Sequence, residues 1–352
     1  MPNLFVSNLS KNFLYSFINH MPKVELHVHL EGSINLKTIS KLIKRNNIKL
    51  PFKTESEFED FFKFRDFKHF VDVYTFITGC LKTPDDYELI SYQFGCECAR
   101  QNIRYAEVTF SIFSNSQLTG LPWQKILEAL NRGRERAAKE FDVDWGWIFD
   151  ILRDFPQSQT FVLDAILNSK DHGVVGIGLT GREDKFSLDD FAKTFEIAHK
   201  NKIGITVHAG ELAGSEIIWD AINLLHADRI GHGVSCIKDP QLIEFLKQKQ
   251  VPLEICPTSN ICMGIFPNFE SHPLRKLWDA GLLLTVNSDD PVLFNTDLNN
   301  EYKILVDHFG FNVEDLEKIC LNALHASFLP EERKQKLVEL FKTEFAQLLK
   351  SC

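Results

Sequence analysis

Cysteine pairs, long apolar runs and an excess of basic residues are all missing from this sequence, and each absence removes a class of function. The eight cysteines of the 352-residue chain include no Cys-x-x-Cys pair, and their density is far below that of a disulfide scaffold. Cys96 and Cys98 flank Glu97 in a helical stretch, where that spacing turns the two thiols away from each other, so reduced cytosolic thiols are expected. No run of about 18 apolar residues occurs, which removes a membrane span. Met1 to His20 mixes Phe and Leu with Asn, Ser, Lys and His instead of assembling an apolar core, so no secretory leader is expected and the cytoplasm is the expected compartment. Against 48 acidic residues there are 39 Lys and Arg, a net charge of -9. The electrostatic footprint for nucleic acid or an anionic membrane is therefore absent, and a small molecule is the expected partner. No pattern fixes the oligomeric state.

What is present is an ordinary globular composition, 44% hydrophobic and 25% charged, and a regular alternation of strand and helix patterns. Strands are predicted at Val24–Leu30, Ile103–Phe110, Asp144–Arg153, Val174–Gly181, Gly204–Glu211, Arg229–Gly233, Pro252–Pro257 and Leu282–Asp290. Helical segments between them include Leu36–Asn47, Pro84–Gln101, Pro122–Glu140, Leu188–Asn201, Glu216–Leu225, Gln241–Gln248 and Pro273–Ala280. Eight such alternations are what a closed parallel (β/α)8 barrel, an α/β fold of TIM-barrel type, requires. With no linker, repeat or low-complexity segment, residues 1–352 are read as one barrel domain. Residues 1–20 form a helical extension, and 313–352 form helices packed outside the barrel. A Phe-rich stripe, Phe58, Phe61, Phe62, Phe64, Phe67, Phe70, Val71 and Tyr74, has helical spacing and follows the first strand, where it could cover the barrel mouth.

The unusual polar residues gather at predicted strand ends: His27, His29 and Glu31 after the first strand, Gly181 after the fourth, His208 and Glu211 after the fifth, His232 after the sixth, Asp289 and Asp290 after the eighth. Right-handed crossovers bring all these ends to one face. His27 and His29 share one side of a strand, because side chains alternate. With His208 and Asp289 they make a nitrogen-rich, oxygen-capped set suited to zinc. The fourth strand ends Leu179-Thr180-Gly181, without the lysine that a carbamylated bridge to a second metal needs, so one Zn2+ is expected. It would lower the pKa of bound water toward about 7. Glu211, three residues past His208, is placed to give a proton to a ring nitrogen, and His232 or Asp290 to orient or deprotonate the water.

Met21-Pro22-Lys23-Val24-Glu25-Leu26-His27-Val28-His29-Leu30-Glu31-Gly32, His208-Ala209-Gly210-Glu211, Arg229-Ile230-Gly231-His232-Gly233, Cys256-Pro257-Thr258-Ser259-Asn260 and Ser288-Asp289-Asp290-Pro291, in that order, resemble the adenosine deaminase family of the amidohydrolase superfamily over about Met21 to Phe341. The resemblance implies a (β/α)8 barrel and zinc on His27, His29, His208 and Asp289. It also implies protonation of purine N1 by Glu211, attack at C6 by a water positioned by His232 and Asp290, and loss of ammonia. Gly181 matches the position whose backbone meets purine N3, and Phe67, Phe70, Val71 and Tyr74 resemble the lid over the ribose.

Two departures bear on the substrate. Many adenosine-specific members carry Asp where this chain has Glu31, the position expected at the ribose 5'-hydroxyl, and Glu there is common among adenine deaminases. After Gly181 the acidic pair of those members is replaced by Arg182-Glu183-Asp184, and Arg182 facing the mouth could pair with a phosphate or carboxylate. Keeping Gly181 in place of a serine-rich turn favours a nucleoside. Adenosine or 2'-deoxyadenosine is the expected substrate, with adenine, N6-methyl-AMP and 6-aminodeoxyfutalosine as alternatives and a non-catalytic nucleoside-binding barrel as the reading from another class.

Overall fold

The structure, a computed structural model, describes residues 10–50, 52–63 and 65–350. Eight strands, β1 (Lys23–His29), β2 (Ile103–Phe110), β3 (Asp144–Leu152), β4 (Val174–Thr180), β5 (Gly204–Ala209), β6 (Arg229–His232), β7 (Leu253–Ile255) and β8 (Leu284–Val286), form one sheet in sequence order. Every neighbouring pair is parallel. The sheet closes where Val28 bridges Asp289: His29 N donates to Asp289 O at 2.9 Å and Asp289 N to His27 O at 3.0 Å. The expected barrel is therefore present, and its strands are buried on both faces, as helix-covered parallel strands must be.

β8 is shorter than the pattern predicted. It ends at Val286, and three residues on Asp289 has φ 63°, a left-handed conformation outside the strand region. The Phe-rich stripe is two helices instead of one, Glu55–Phe61 and Phe67–Cys80, because Asp66 caps the second by accepting from His69 N at 2.9 Å. Helices Gln159–Leu167, Ile112–Thr119, Pro257–Cys262 and Leu298–Phe309 were not read from periodicity. The tail holds helices Val313–Ala326 and Glu331–Lys350; residues 1–9 and 351–352 lie outside the described residues. The seven described cysteines are unpaired, and no described helix is long and apolar enough to cross a membrane.

Below the mouth, the barrel interior carries a buried ion cluster. Arg229 of β6 donates to Glu107 of β2 and to Glu254 of β7, both at 2.5 Å, with Phe328 stacked 3.8 Å from the guanidinium. All three charged side chains are about 99% or more buried. Such a cluster adds little net stability when intact, because desolvation offsets attraction, but losing one member strands the others.

Candidate active site

The strand ends open into a cavity of about 550 Å3, and four donors converge on its floor. One ring nitrogen from each of His27, His29 and His208 and one carboxylate oxygen of Asp289 lie within 4.8 Å of one another. Asp289 Oδ1 is 3.4 Å from His27 Nε2 and 3.3 Å from His29 Nε2. Neither His27 Nε2 nor His208 Nδ1, both buried, has a hydrogen-bond partner. An unsatisfied buried group costs roughly 1–3 kcal/mol, and a bound cation would offset that cost. Burial alone would depress the basicity of His27, but Asp289 and Glu254 outweigh it and raise its pKa to about 10. At His29, Asp290 and Asp289 do the same against burial, to about 9. His208 has weaker help; burial and the neighbouring histidines hold it well below 6.5. Protons on His27 and His29 occupy the positions that a divalent cation would take, so metal binding releases them.

A second group, His232, Cys256 and Asp289, shares the aspartate. Burial pushes the Cys256 thiol well above 9, and it donates to Glu254 O at 3.6 Å. It remains a thiol, whereas the thiolate is the metal ligand. Among the described residues, the group of His27, His29, His208 and Asp289 is the one that offers four ligand atoms.

The donors are held from behind by residues whose roles periodicity did not reveal. Glu254 accepts from His27 Nδ1 at 2.8 Å and from Thr206 Oγ1 as well as from Arg229, which fixes the ring so that Nε2 faces the cavity. Ser259 Oγ donates to Asp289 Oδ2 at 2.7 Å. Glu183 accepts from four backbone N–H groups, of Gly210, Glu211, Leu212 and Ala213, at 2.8–3.2 Å, and so sets the loop that carries Glu211. Two glycines permit close approach. A Cβ on Gly32 would lie 1.8 Å from Asp290 Oδ1, and one on Gly231 would lie 2.9 Å from His27 Cε1.

Glu211, His232 and Asp290 all line the cavity, and the first two meet. Glu211 Oε2 is 3.6 Å from His232 Nε2, and Asn260 Nδ2 reaches Glu211 Oε1 at 3.4 Å. Burial, then Asp289 and Glu183, push the Glu211 carboxyl well above 4.5, so it keeps its proton. Burial holds His232 neutral, its pKa lowered to about 3. Asp290 is raised to about 7, chiefly by burial, with Asp289 and Glu31 adding to the shift. His232 itself sits at φ 60°, backbone strain of the kind found where side chains must be aimed.

Gly181, Phe70, Val71 and Tyr74 line the cavity as expected. Phe70 stacks on Phe294 at 5.9 Å, and Tyr74 meets Ser111 Oγ at 3.2 Å. The side chain of Phe67, and Phe64 entirely, lie outside the described residues. Glu31 does not line the cavity. It is buried behind the wall, where Oε1 accepts from Ser111 N and Asn115 Nδ2 at 3.1 and 2.8 Å while Oε2 has no partner. Asp150, unremarked in the sequence, does line it: Thr180 donates to its Oδ2 at 2.6 Å and its buried Oδ1 has no partner. Arg182 is not among the lining residues, and its guanidinium is held by Asp184 at 2.9 and 2.6 Å. Among the described residues, no Lys or Arg lines the cavity. Its rim carries Val71, Leu118, Phe155 and Leu212, four of the seven large apolar residues exposed on the described surface.

Comparison with known proteins agrees with this geometry. A family profile described as adenosine deaminase matches residues 22–344. The chain is 36% identical over 344 residues to an aminodeoxyfutalosine deaminase of Streptomyces coelicolor, covering 96% of this chain and 88% of the relative. It is 33% identical over 327 residues to an adenine deaminase of Wolinella succinogenes, covering 93% and 98%. Among solved structures, an amidohydrolase from Burkholderia ambifaria with bound Zn superposes with a TM-score of 0.89 at 26% identity, covering 99% of this chain and 96% of that one.

Proposed function

The chain belongs to the adenosine deaminase family and is a deaminase, and from that premise we propose that it removes the 6-amino group of a purine nucleoside bearing an apolar extension, aminodeoxyfutalosine being the compound that fits. The observation that carries this reading is the cavity: about 550 Å3, lined among the described residues by no Lys or Arg and ringed by exposed apolar side chains. A nucleotide phosphate would find no cation there, which argues against N6-methyl-AMP. Free adenine would leave the apolar rim in water. A nucleoside whose 5' carbon carries an aryl ketone covers that rim and lets its distal carboxylate reach solvent. The identity with the Streptomyces aminodeoxyfutalosine deaminase supports the same choice over adenosine itself.

Zinc on His27, His29, His208 and Asp289 is the cofactor this donor set suits, a choice supported by the Zn bound in the Burkholderia structure, and when bound it would acidify a water enough for attack at neutral pH. The protonated Glu211 hands its proton to purine N1, which leaves C6 electron-poor. His232 and Asp290 position the water on the other side, and the proton it loses passes to the departing amine. Gly181 backbone meets the purine at N3, Asp150 Oδ1 accepts from a ribose hydroxyl, and Phe70 with Tyr74 covers the sugar. Water adds at C6, the C6–N bond breaks, and ammonia departs with the proton gained.

Chelation is expected to abolish ammonia release and added Zn2+ to restore it; activity that survived with less than a tenth of an equivalent of metal would count against the cofactor. Because Asp184 holds its guanidinium, Arg182→Ala is expected to leave KM within about twofold for both neutral and carboxylate-bearing substrates. A selective rise for the latter in steady-state assays would return Arg182 to the binding site.

A further inference from the structure

A chain of hydrogen bonds behind His232 has a direction set by one donor that cannot reverse. Leu274 N–H donates to His272 Nδ1 at 3.1 Å, so Nδ1 of that ring carries a lone pair and the proton of the neutral imidazole is on Nε2. His272 Nε2 lies 3.1 Å from Asn260 Oδ1, a donor facing an acceptor. That contact orients the amide, whose Nδ2 then faces His232 Nδ1 at 3.2 Å and Glu211 Oε1 at 3.4 Å. Both are acceptors, so each hydrogen of the amide nitrogen has a partner, and the opposite orientation would set the carbonyl against a carboxyl oxygen and a ring. Ring and amide orientations are assigned in this way, from the network around them. His272, Asn260 and His232 are all at least 96% buried, so water does not compete for these contacts.

We propose that His272, acting through Asn260, locks His232 in the Nε2–H tautomer, so that His232 donates a hydrogen bond to the oxygen attacking C6 and does not itself take that oxygen's proton. His232 Nδ1 is occupied as an acceptor, and Nε2, which points toward Glu211 at 3.6 Å and Asp289 at 3.9 Å, offers N–H. His272 and Asn260 touch neither the purine nor the water and are positioning residues. Nothing in the spacing of Ser271-His272-Pro273 signals this, because His272 lies 40 residues beyond His232 in sequence and reaches it only through the Pro257–Cys262 helix.

The inference rests on the reading of this site as a C6 deaminase, and the test separates the two. In zinc-loaded protein labelled with 15N at histidine, the His232 resonances, identified by their loss in His232→Ala, are expected to show a protonated Nε2 and an unprotonated Nδ1. A protonated Nδ1 in the wild-type protein overturns the proposal, and this measurement needs no turnover, so it stands whichever purine the enzyme accepts. His272→Leu frees the Asn260 amide to rotate. It is expected to shift His232 toward the Nδ1–H form and to lower kcat about 10- to 100-fold with KM little changed. His272→Gln, whose amide can still donate to Asn260, is expected to recover most of that loss. Equal kcat in His272→Leu and wild type, or equal defects in the Leu and Gln variants, would also overturn it.

Discussion

Glu211→Gln is expected to lower kcat by about 10³-fold, within the range of about 10²- to 10⁴-fold that positioned proton transfer supplies, while leaving bound metal at one equivalent. The reason is a separation of duties that the geometry makes visible. Glu211 is outside the ligand set of His27, His29, His208 and Asp289, so replacing its carboxyl by an amide does not weaken the metal site. Its carboxyl is instead buried under Asn260 and beside His232, where burial raises its pKa and keeps a proton available. Glutamine has the same shape and still accepts from Asn260, but its amide cannot release a proton to N1. A thousandfold loss corresponds to about 4 kcal/mol of transition-state stabilisation. Turnover within tenfold of wild type, with metal content measured on the same sample, would assign the proton donor elsewhere.

Glu254→Ala is expected to have the largest effect on stability. Glu254 stands between the structural cluster and the metal-ligand set, with Arg229 on one side at 2.5 Å and His27 on the other at 2.8 Å. Burial would raise its pKa, but Arg229 and then His27 overcome that and hold it at about 2, so it is a carboxylate at every pH at which the protein works. Removing it leaves the buried guanidinium of Arg229 with Glu107 alone, a loss of about 3–5 kcal/mol, and leaves His27 Nδ1 without the acceptor that orients the ring. Metal affinity is expected to fall about 10- to 100-fold. Denaturant unfolding and zinc titration on the same variant read the two losses separately. A variant as stable as wild type, or one that binds zinc as tightly, would show that the Glu107–Arg229–Glu254–His27 chain does not couple the barrel to the site.

How far the sequence discloses this protein follows from which interactions are periodic. The barrel was legible because parallel strands and covering helices alternate in hydrophobic period. The candidate donor set His27, His29, His208 and Asp289 was legible because histidines and aspartates at strand ends have few other reasons to gather there. Val28-His29 at one end and Asp289 at the other close the barrel and build the site in a single bridge, so fold and function share one signal. The supporting residues were hidden for the opposite reason. Glu254 is a single charge inside the strand Leu253-Glu254-Ile255 and Asp150 another inside Phe149-Asp150-Ile151; a carboxylate in a strand buried on both faces is the trace each leaves, since such charges are almost never buried without a partner. In sequence Glu183 is no more than the middle residue of Arg182-Glu183-Asp184, yet it holds four backbone amides, which no sequence spacing encodes. Arg182, singled out for its charge, is held by its neighbour Asp184, a contact two residues away that outcompetes the cavity. The left-handed backbone of His232 and Asp289 is imposed by the tertiary structure on residues that would avoid it in isolation.

The measurement that bears most directly on the central claim is a parallel ultraviolet assay of zinc-loaded protein on aminodeoxyfutalosine, adenosine, adenine and N6-methyl-AMP. The account predicts that all deamination is metal-dependent and that aminodeoxyfutalosine has the highest kcat/KM, above about 10⁴ M⁻¹s⁻¹ and at least about tenfold over adenosine, since one apolar contact of roughly 1.4 kcal/mol at the rim is worth that factor. Preference for N6-methyl-AMP would contradict the cation-free cavity, and loss of none of the four substrates from a sample holding one zinc per chain would contradict the deaminase itself.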